Sequence, residues 1–172
     1  MLFDNLMKRV FMLGHSNHPL DHFFALLDRH RVTVLIDVRS SPNSRFPWFV
    51  GQKLARYVSA VGIRYEHWPQ LGGKPPAPKE QLRASLEGLE RAYGLAFERA
   101  TNLALMCSEG KHLECHRHYL LAPVLLEMGY DVLQIQTDGS IVSDAGPTGK
   151  TLRKMAAFLP AGAYQEPQAS LF

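Results

Sequence analysis

Two cysteines and a histidine stand close together in the segment CSEGKHLECHRH (107–118). Cys107 ends a predicted buried strand, while Cys115 and His116 lie at the start of the next predicted helix. A thiol at a helix start, beside histidine and arginine, can have a lowered pKa and act as a nucleophile. Either Cys107 or Cys115 is therefore a candidate catalytic thiol, with His116 as its base. The alternative for Cys107 is a small buried core residue.

The same segment carries groups suited to acid–base chemistry and to anion binding. Glu109 is a candidate general acid or base. Arg117, together with the free amide N–H groups of the helix start, could hold an anion. The histidines at 112, 116 and 118 match no standard zinc spacing, and the chain has no Cys-x-x-Cys redox motif. We therefore predict no metal site, and the sequence identifies no cofactor.

A carboxylate and a guanidinium follow the second predicted strand, in the segment DVRSSP (37–42). Asp37 and Arg39 are two residues apart, so their side chains share one face of the strand. One interpretation is a structural ion pair. The other is a catalytic Asp37 beside a phosphate-binding Arg39.

Two further loops carry candidate ligands for a substrate or a phosphate. GHSNHP (14–19) supplies His15, Ser16 and Asn17, although Ser16 or Asn17 can instead cap the following helix. SRFPWF (44–49) supplies Arg45 for phosphate contact and Trp48 for stacking on a base. The alternative for this loop is that its aromatic residues close the edge of the sheet.

Short apolar runs alternate with helical patterns along the chain. Nearly continuous β-branched runs such as VTVLIDV (32–38) are typical of strands covered on both faces. We therefore predict an α/β fold: a single three-layer domain with a mostly parallel sheet of about five strands and helices on both faces. Predicted strands cover 9–14, 32–38, 63–68, 103–107 and 131–136, with a short edge strand at 139–144, and predicted helices cover 19–30, 52–61, 79–100, 114–128 and 148–158.

The predicted sheet determines where the polar residues meet. In parallel sheets, ligands bind at the carboxyl ends of the strands. His15, Asp37, Arg39, Cys107 and Arg117 all lie at predicted strand ends or in the loops that follow. We expect these five side chains to converge on one concave surface.

The amino-acid composition limits which classes of protein the chain can belong to. The 172 residues are 46% hydrophobic and 20% charged, which is enough apolar material for one domain with a buried core. The net charge of +3 is compatible with binding to a phosphate-rich partner but does not by itself indicate one. There is no run of 18 apolar residues, so no membrane partner is expected, and the start of the chain is typical of mature protein. Two cysteines fit a reducing compartment, which predicts a cytoplasmic location.

Four long blocks of the sequence resemble a known family. GHSNHPLDHFFALL, LIDVRSSPNSRFPWF, GIRYEHWPQLGG and ALMCSEGKHLECHRHYLLA are similar to the bacterial family catalogued as domain of unknown function 488. The likeness covers roughly residues 10–137 and implies a compact α/β domain with no established activity. The family's recurring blocks fall on His15, Ser16, Asn17, Asp37, Arg39, Pro42, Arg45, Cys107, Glu109, Cys115, His116 and Arg117.

The last residues, QASLF (168–172), carry a second resemblance. They are similar to the pentapeptide by which bacterial replication and repair proteins dock on the DNA polymerase sliding clamp. The resemblance implies that Leu171 and Phe172 fill an apolar pocket and that Gln168 makes polar contacts. Ala169 stands where the usual form has leucine. We predict a domain over 1–159 and a flexible tail over 160–172; the alternative is a tail packed on its own domain.

Three functional hypotheses stay open from the sequence. The first is a DNA-associated protein of replication or repair, tethered to the clamp, with a phosphate- or nucleotide-binding site at the strand ends and nucleic acid as a second candidate partner. The second is a small-molecule enzyme that uses Cys107 or Cys115 as a thiol. The third is a non-catalytic adaptor that binds the clamp or DNA.

Overall fold

The computed structural model of the protein describes residues 8–93 and 102–148. This part of the chain forms six strands and four α-helices. The strands are β1 (Lys8–Gly14), β2 (Val32–Asp37), β3 (Arg64–His67), β4 (Asn102–Cys107), β5 (Tyr130–Ile135) and β6 (Ile141–Ser143); the helices are α1 (Leu20–Arg29), α2 (Gly51–Ala60), α3 (Lys79–Tyr93) and α4 (Ala122–Glu127).

All six strands belong to one sheet, in the order β3-β2-β4-β1-β5-β6. The first five strands run parallel, and β6 pairs antiparallel with β5 at the edge. The predicted α/β fold with a mostly parallel sheet is therefore confirmed. β6 is the short edge strand that the sequence pattern indicates.

Helices cover the sheet on both faces, and the central strands β1, β2 and β4 are apolar over most of their length. Val10 and Met12 of β1 pack into one buried cluster, and Phe11 and Leu13 pack into another. This alternation is the two-residue period of a strand. The first cluster includes Leu82, Leu86 and Leu89 of α3 with Val124 and Leu125 of α4; the second includes Phe23 and Leu27 of α1 with Leu54 and Val58 of α2.

The register brings the carboxyl ends of the central strands to one edge. Gly14 at the end of β1 lies opposite Cys107 at the end of β4. Asp37 at the end of β2 lies opposite Met106 of β4 and His67 of β3. The loops that leave these strands therefore share one surface of the domain, as expected for a parallel sheet.

The segment after β4 differs from the single helix predicted over 114–128. A 3-10 turn covers His112–Glu114, a π-helical stretch covers Arg117–Leu121, and only then does α4 begin. Pro123 in the first turn of α4 has no N–H to donate to the preceding turn, which disfavours a continuous α-helix here. Wider π turns of this kind are frequent at functional sites.

Three predicted features extend beyond the described residues. The predicted helix over 79–100 is seen as α3, and residues 94–101 lie outside the description. The predicted helix at 148–158 and the tail at 160–172 lie outside it almost entirely. Within residues 8–93 and 102–148, no helix has the length and apolar character needed to cross a membrane.

Candidate functional site

Asp37 and Arg39 form a buried ion pair just beyond the end of β2. Arg39 Nε lies 2.8 Å from Asp37 Oδ1, and Nη2 lies 2.5 Å from Oδ2. The Tyr65 hydroxyl donates to the same Oδ2 at 2.6 Å, and Arg39 Nη1 donates to the Phe49 carbonyl at 2.9 Å. Burial, and then the adjacent carboxylate, raise the pKa of Tyr65, so its hydroxyl keeps its proton. This geometry supports the structural interpretation of the pair, since each charge is compensated within the protein.

His15 packs against this ion pair from the end of β1. Its ring stacks on Phe49 with centroids 4.2 Å apart. Nδ1 lies 2.7 Å from the Ser16 carbonyl, and Nε2 lies 3.3 Å from Arg39 Nη1. The hydrogen bonds assign the proton to Nδ1, with Nε2 accepting from Arg39. Burial is the main cause that lowers the pKa of His15 to about 4, so the ring is neutral at neutral pH.

Ser16 and Asn17 turn the chain between β1 and α1. Neither caps the helix, because α1 begins after Pro19 and has no side-chain cap. The Ser16 N–H instead donates to the Ser108 carbonyl at 2.9 Å, and Ser16 has a positive φ of 50°. The hydroxyl of Ser16 lies 3.3 Å from Asn17 Oδ1. These residues therefore join the loop after β1 to the loop after β4.

Cys107, Cys115 and His116 form a buried cluster at the same edge. His116 Nδ1 lies 3.6 Å from Cys107 Sγ and 3.7 Å from Cys115 Sγ. Arg117 donates from Nε to Cys115 Sγ at 3.2 Å and from Nη2 to the Glu109 carbonyl at 2.6 Å. The His116 Nε2 atom is buried without a partner. A proton on Nδ1 suits this arrangement, because it leaves only a lone pair unsatisfied at Nε2.

The pKa values of the two thiols are shifted in opposite directions. The hydrogen bond from Cys107, with those from His116 and the charge of Arg117, lowers the pKa of Cys115 well below the ordinary value. The hydrogen bond to Cys115, with burial, raises the pKa of Cys107. His116 Nδ1 lies at nearly the same distance from both sulfurs, whereas Arg117 Nε donates to the sulfur of Cys115. The geometry therefore favours the negative charge on Cys115 over Cys107.

Within residues 8–93 and 102–148, these three side chains also form a group of donors close enough together to share an ion. The ligand atoms of Cys107, Cys115 and His116 lie within 4.8 Å of one another. Two features favour a thiolate cluster over a metal centre. Arg117 already supplies positive charge to the Cys115 sulfur. His116 Nε2 has no hydrogen-bond acceptor, whereas metal-bound histidines nearly always have one.

Two glycines allow the backbone to approach the cluster. A Cβ atom on Gly14 would lie 1.7 Å from the Glu109 carbonyl oxygen, so the loop after β4 passes directly over the end of β1. That carbonyl is the one that accepts from Arg117. A Cβ atom on Gly73 would lie 2.8 Å from His116 Cβ. Only glycine permits both contacts without a shift of the backbone.

A cleft of about 960 Å³ opens beside the thiols. Its walls come from the loop after β2 (39–43), the loop 73–76, the end of β4 with the following loop (107–109), and the segment 114–120. The Ser40 hydroxyl accepts from the Lys74 N–H at 2.9 Å and joins two of these walls. The cleft has the size of a small-molecule site, and both sulfur-bearing residues line it.

The structure brings most of the sequence-predicted site residues to this edge in two adjoining groups. His15, Asp37 and Arg39 form the ion-pair group; Cys107, Glu109, Cys115, His116 and Arg117 form the thiol group. Glu109 is exposed at the cleft, whereas Arg117 is fully buried behind it.

Arg45 and Trp48 belong to the loop 41–50 and are absent from the described lining of the cleft. Arg45 is exposed, with its guanidinium 5.0 Å from the ring centre of Phe46. Trp48 Nε1 donates to the His18 carbonyl at 3.0 Å, and Trp48 packs on the apolar cluster beneath α1 and α2. The aromatic residues of this loop thus cover the sheet.

Sequence reasoning missed three residues of the site. Tyr65 was part of a predicted strand, and nothing in its spacing shows that it reaches Asp37. Lys74 lies outside every predicted strand and helix, and no motif marks it, yet it lines the cleft. Tyr119 lines the cleft too, and burial with the nearby thiols raises its pKa to about 12. All three depend on contacts between distant segments, which periodicity does not report.

The chain can now be compared with known families. Residues 19–93 match the family model of the Domain of unknown function DUF488. The match includes the Asp37–Arg39 pair and the loop 73–76 and ends before Cys107. No curated protein and no solved structure matches the chain. The matched family has no described reaction, so the match does not indicate what the chain does. The evidence for function lies in the residues of the site. The pentapeptide 168–172 lies outside the described residues.

Proposed function

We propose that the chain is a thiolate-dependent enzyme, with Cys115 as the nucleophile and the cleft as its substrate-binding site. One observation carries this proposal. Arg117 is fully buried, and none of the ion pairs within the described residues includes it. A buried guanidinium without a counter-charge would cost about 3–5 kcal/mol. Its Nε points at Cys115 Sγ, so the thiolate is the anion that compensates it.

The neighbouring groups suit nucleophilic chemistry. The Cys115 thiolate would attack an electrophilic atom of a substrate bound in the cleft and form a covalent adduct. His116 Nδ1 lies beside both sulfurs, where it can hold or deliver a proton as the charge on Cys115 is consumed. Arg117 and the Asp37–Arg39 pair would hold the walls in place and take no part in bond making.

Alkylation by iodoacetamide, followed across pH, tests the nucleophile. Cys115 is 1% exposed, so access limits the absolute rate, and the informative quantity is the midpoint of the pH profile. We expect Cys115 to be alkylated with a midpoint at least about one pH unit below the value of roughly 8.5 for a free cysteine. Peptide mass spectrometry identifies the modified residue. The Cys115→Ser variant is the control that should lose the low-pH phase.

The Arg117→Met variant separates charge from packing. It keeps an unbranched side chain of similar length and removes the charge, so the midpoint for Cys115 should rise toward that of a free thiol. Circular dichroism verifies that the variant is folded. Two results would contradict the proposal: an ordinary midpoint for Cys115 in the parent protein, or stoichiometric zinc in the purified protein that only a denaturant releases.

A second proposal concerns the tail, and its support is the sequence QASLF alone. We propose that Gln168, Leu171 and Phe172 dock on the DNA polymerase sliding clamp and bring the domain to DNA in replication or repair. Two large apolar anchors and a polar residue in a linker-like segment are typical of short docking motifs. Calorimetry with purified clamp and a peptide of residues 160–172 tests it, and an absence of binding would remove the proposed link to DNA.

A further inference from the structure

The second thiol is the feature of the site that simple nucleophilic substitution leaves unused. Cys107 ends β4, whereas Cys115 follows the 3-10 turn, so the two residues belong to different segments. Their sulfur atoms nevertheless lie within 4.8 Å of each other and share His116 as a neighbour. A disulfide needs the sulfurs to approach to about 2.05 Å, so its formation requires the two side chains to rotate toward each other.

A second thiol beside a thiolate has a specific use in redox chemistry. In thiol–disulfide exchange, the first sulfur forms a mixed disulfide, and a nearby thiol then resolves it. Cys107 lies beside Cys115 and shares His116 with it, while the Arg117 contact goes to Cys115, so Cys107 is placed to act as the resolving thiol. Both cysteines line the cleft, so a substrate bound there lies beside both sulfurs.

We infer that Cys115 and Cys107 form a dithiol–disulfide exchange centre whose substrate is a low-molecular-weight disulfide bound in the cleft. The inference rests on the proposed function, because it requires Cys115 to be the attacking thiolate. It goes beyond that function by naming the reaction and the class of substrate.

The proposed exchange reduces the substrate disulfide in two successive steps. The Cys115 thiolate attacks one sulfur of the substrate R–S–S–R, which gives a Cys115–S–S–R mixed disulfide and releases RS⁻. Cys107 then gives its proton to the released RS⁻. The Cys107 thiolate attacks Cys115 Sγ, forms the internal disulfide and releases the second RS⁻, which takes a proton from solvent. The substrate is reduced by two electrons to two thiols, and the dithiol is oxidised by two electrons. An external thiol restores the reduced enzyme by the reverse exchange.

The cleft indicates the class of disulfide. Its volume of about 960 Å³ far exceeds the needs of a hydroperoxide and suits a ligand of several tens of atoms. Its lining carries charges of both signs, with Lys74 on one wall and Glu109 and Glu114 on the other. Such walls complement a zwitterionic disulfide that bears ammonium and carboxylate groups, as peptide-like disulfides do.

The test uses the full chain, freshly reduced, with oxidised glutathione as the probe. Released thiol is quantified, and the intact mass of the quenched protein is recorded. We expect two equivalents of glutathione per chain and a protein that has lost two hydrogens. The Cys107→Ser variant should release one equivalent and keep glutathione attached to Cys115. The Cys107→Ala variant repeats this measurement should the serine variant fold poorly. The Cys115→Ser variant should release none near neutral pH.

The outcomes separate this inference from the proposed function. A parent protein that stops at the mixed disulfide overturns the inference. The low alkylation midpoint of Cys115 would then still support a nucleophilic thiolate. Oxidation by a hydroperoxide, with no reaction toward oxidised glutathione, overturns the assigned substrate class. An inert Cys115 that also lacks the low midpoint overturns both proposals.

A matched pair of probes tests the role of the cleft charges. The Lys74→Met variant should react several-fold more slowly with oxidised glutathione than the parent does. Its rate with hydroxyethyl disulfide, a neutral probe, should fall by a clearly smaller factor. Equal slowing with both probes would show that Lys74 affects the loop and not the recognition of charge, which would contradict the zwitterionic substrate class.

Discussion

The buried imidazole of His15 should make the domain less stable in mild acid. Its pKa falls from an ordinary 6.5 to about 4 in the folded protein, mainly because of burial; the hydrogen bond to the Ser16 carbonyl opposes the change, and the Arg39 charge adds to it. The unfolded chain therefore binds a proton between these two pH values while the folded chain does not. The stability due to neutral His15 is complete above about pH 6.5 and is lost as pH falls toward 4.

The magnitude follows from the difference between the two pKa values. At about 1.4 kcal/mol per pH unit, the full effect is roughly 3 kcal/mol, of which about 2 kcal/mol is lost by pH 5. Burial also lowers the pKa of His18 and His112, so these residues add to the same slope. Replacing His15 with a side chain that cannot bind a proton should remove only the part of this stability loss that comes from His15.

Urea denaturation of the parent protein and the His15→Gln variant measures this share. The variant should lose about 2 kcal/mol less than the parent between pH 7.5 and pH 5. Only the change in stability between the two pH values is compared, so any pH-independent effect of the substitution cancels. If the parent and His15→Gln lose the same stability on acidification, His15 is not a buried neutral imidazole and the reasoning is wrong.

Three other perturbations have defined outcomes. Gly14→Ala would place a Cβ atom 1.7 Å from the Glu109 carbonyl oxygen, so thermal or chemical denaturation should show a loss of about 3 kcal/mol or more, and wild-type stability would contradict the described loop position. Arg45→Ala should weaken DNA binding and reduce its salt slope by about one, and a parent protein that binds no DNA at low salt would rule this out. Replacing both Leu171 and Phe172 with Ala should remove most of a roughly micromolar peptide affinity for the clamp without lowering the melting temperature, whereas a drop of several degrees would assign the tail to the core.

Sequence reasoning performed best where a local pattern reports burial. The run VTVLIDV predicts a strand covered on both faces, and β2 lies between β3 and β4 with helices on both sides. The helical pattern at 19–30 is seen as α1, which is one residue shorter at each end. The pattern at 52–61 is seen as α2, which is shifted by one residue toward the N-terminus. These predictions succeed because burial of one face imposes a period on the side chains.

Local patterns performed less well after β4. The segment 114–128 has the apolar spacing of a helix, yet it begins with a turn and a π-helical stretch. The Arg117 side chain reaches back eight residues to the Glu109 carbonyl and anchors this shape. A helix pattern read over neighbouring turns carries no information about such a contact.

The sequence by itself determined the α/β class, the two buried faces of the sheet and the edge at which the polar residues collect, because these follow from side-chain periodicity and the direction of parallel strands. Only the tertiary structure decided what those residues do to one another. In the structure, Asp37 accepts hydrogen bonds from Arg39 and Tyr65, Cys107 lies beside Cys115, and Arg117 donates to one of the two sulfurs. The physical reason is that pKa values and ion pairs depend on distances of a few ångströms between segments far apart in the chain, which only the packing of those segments sets.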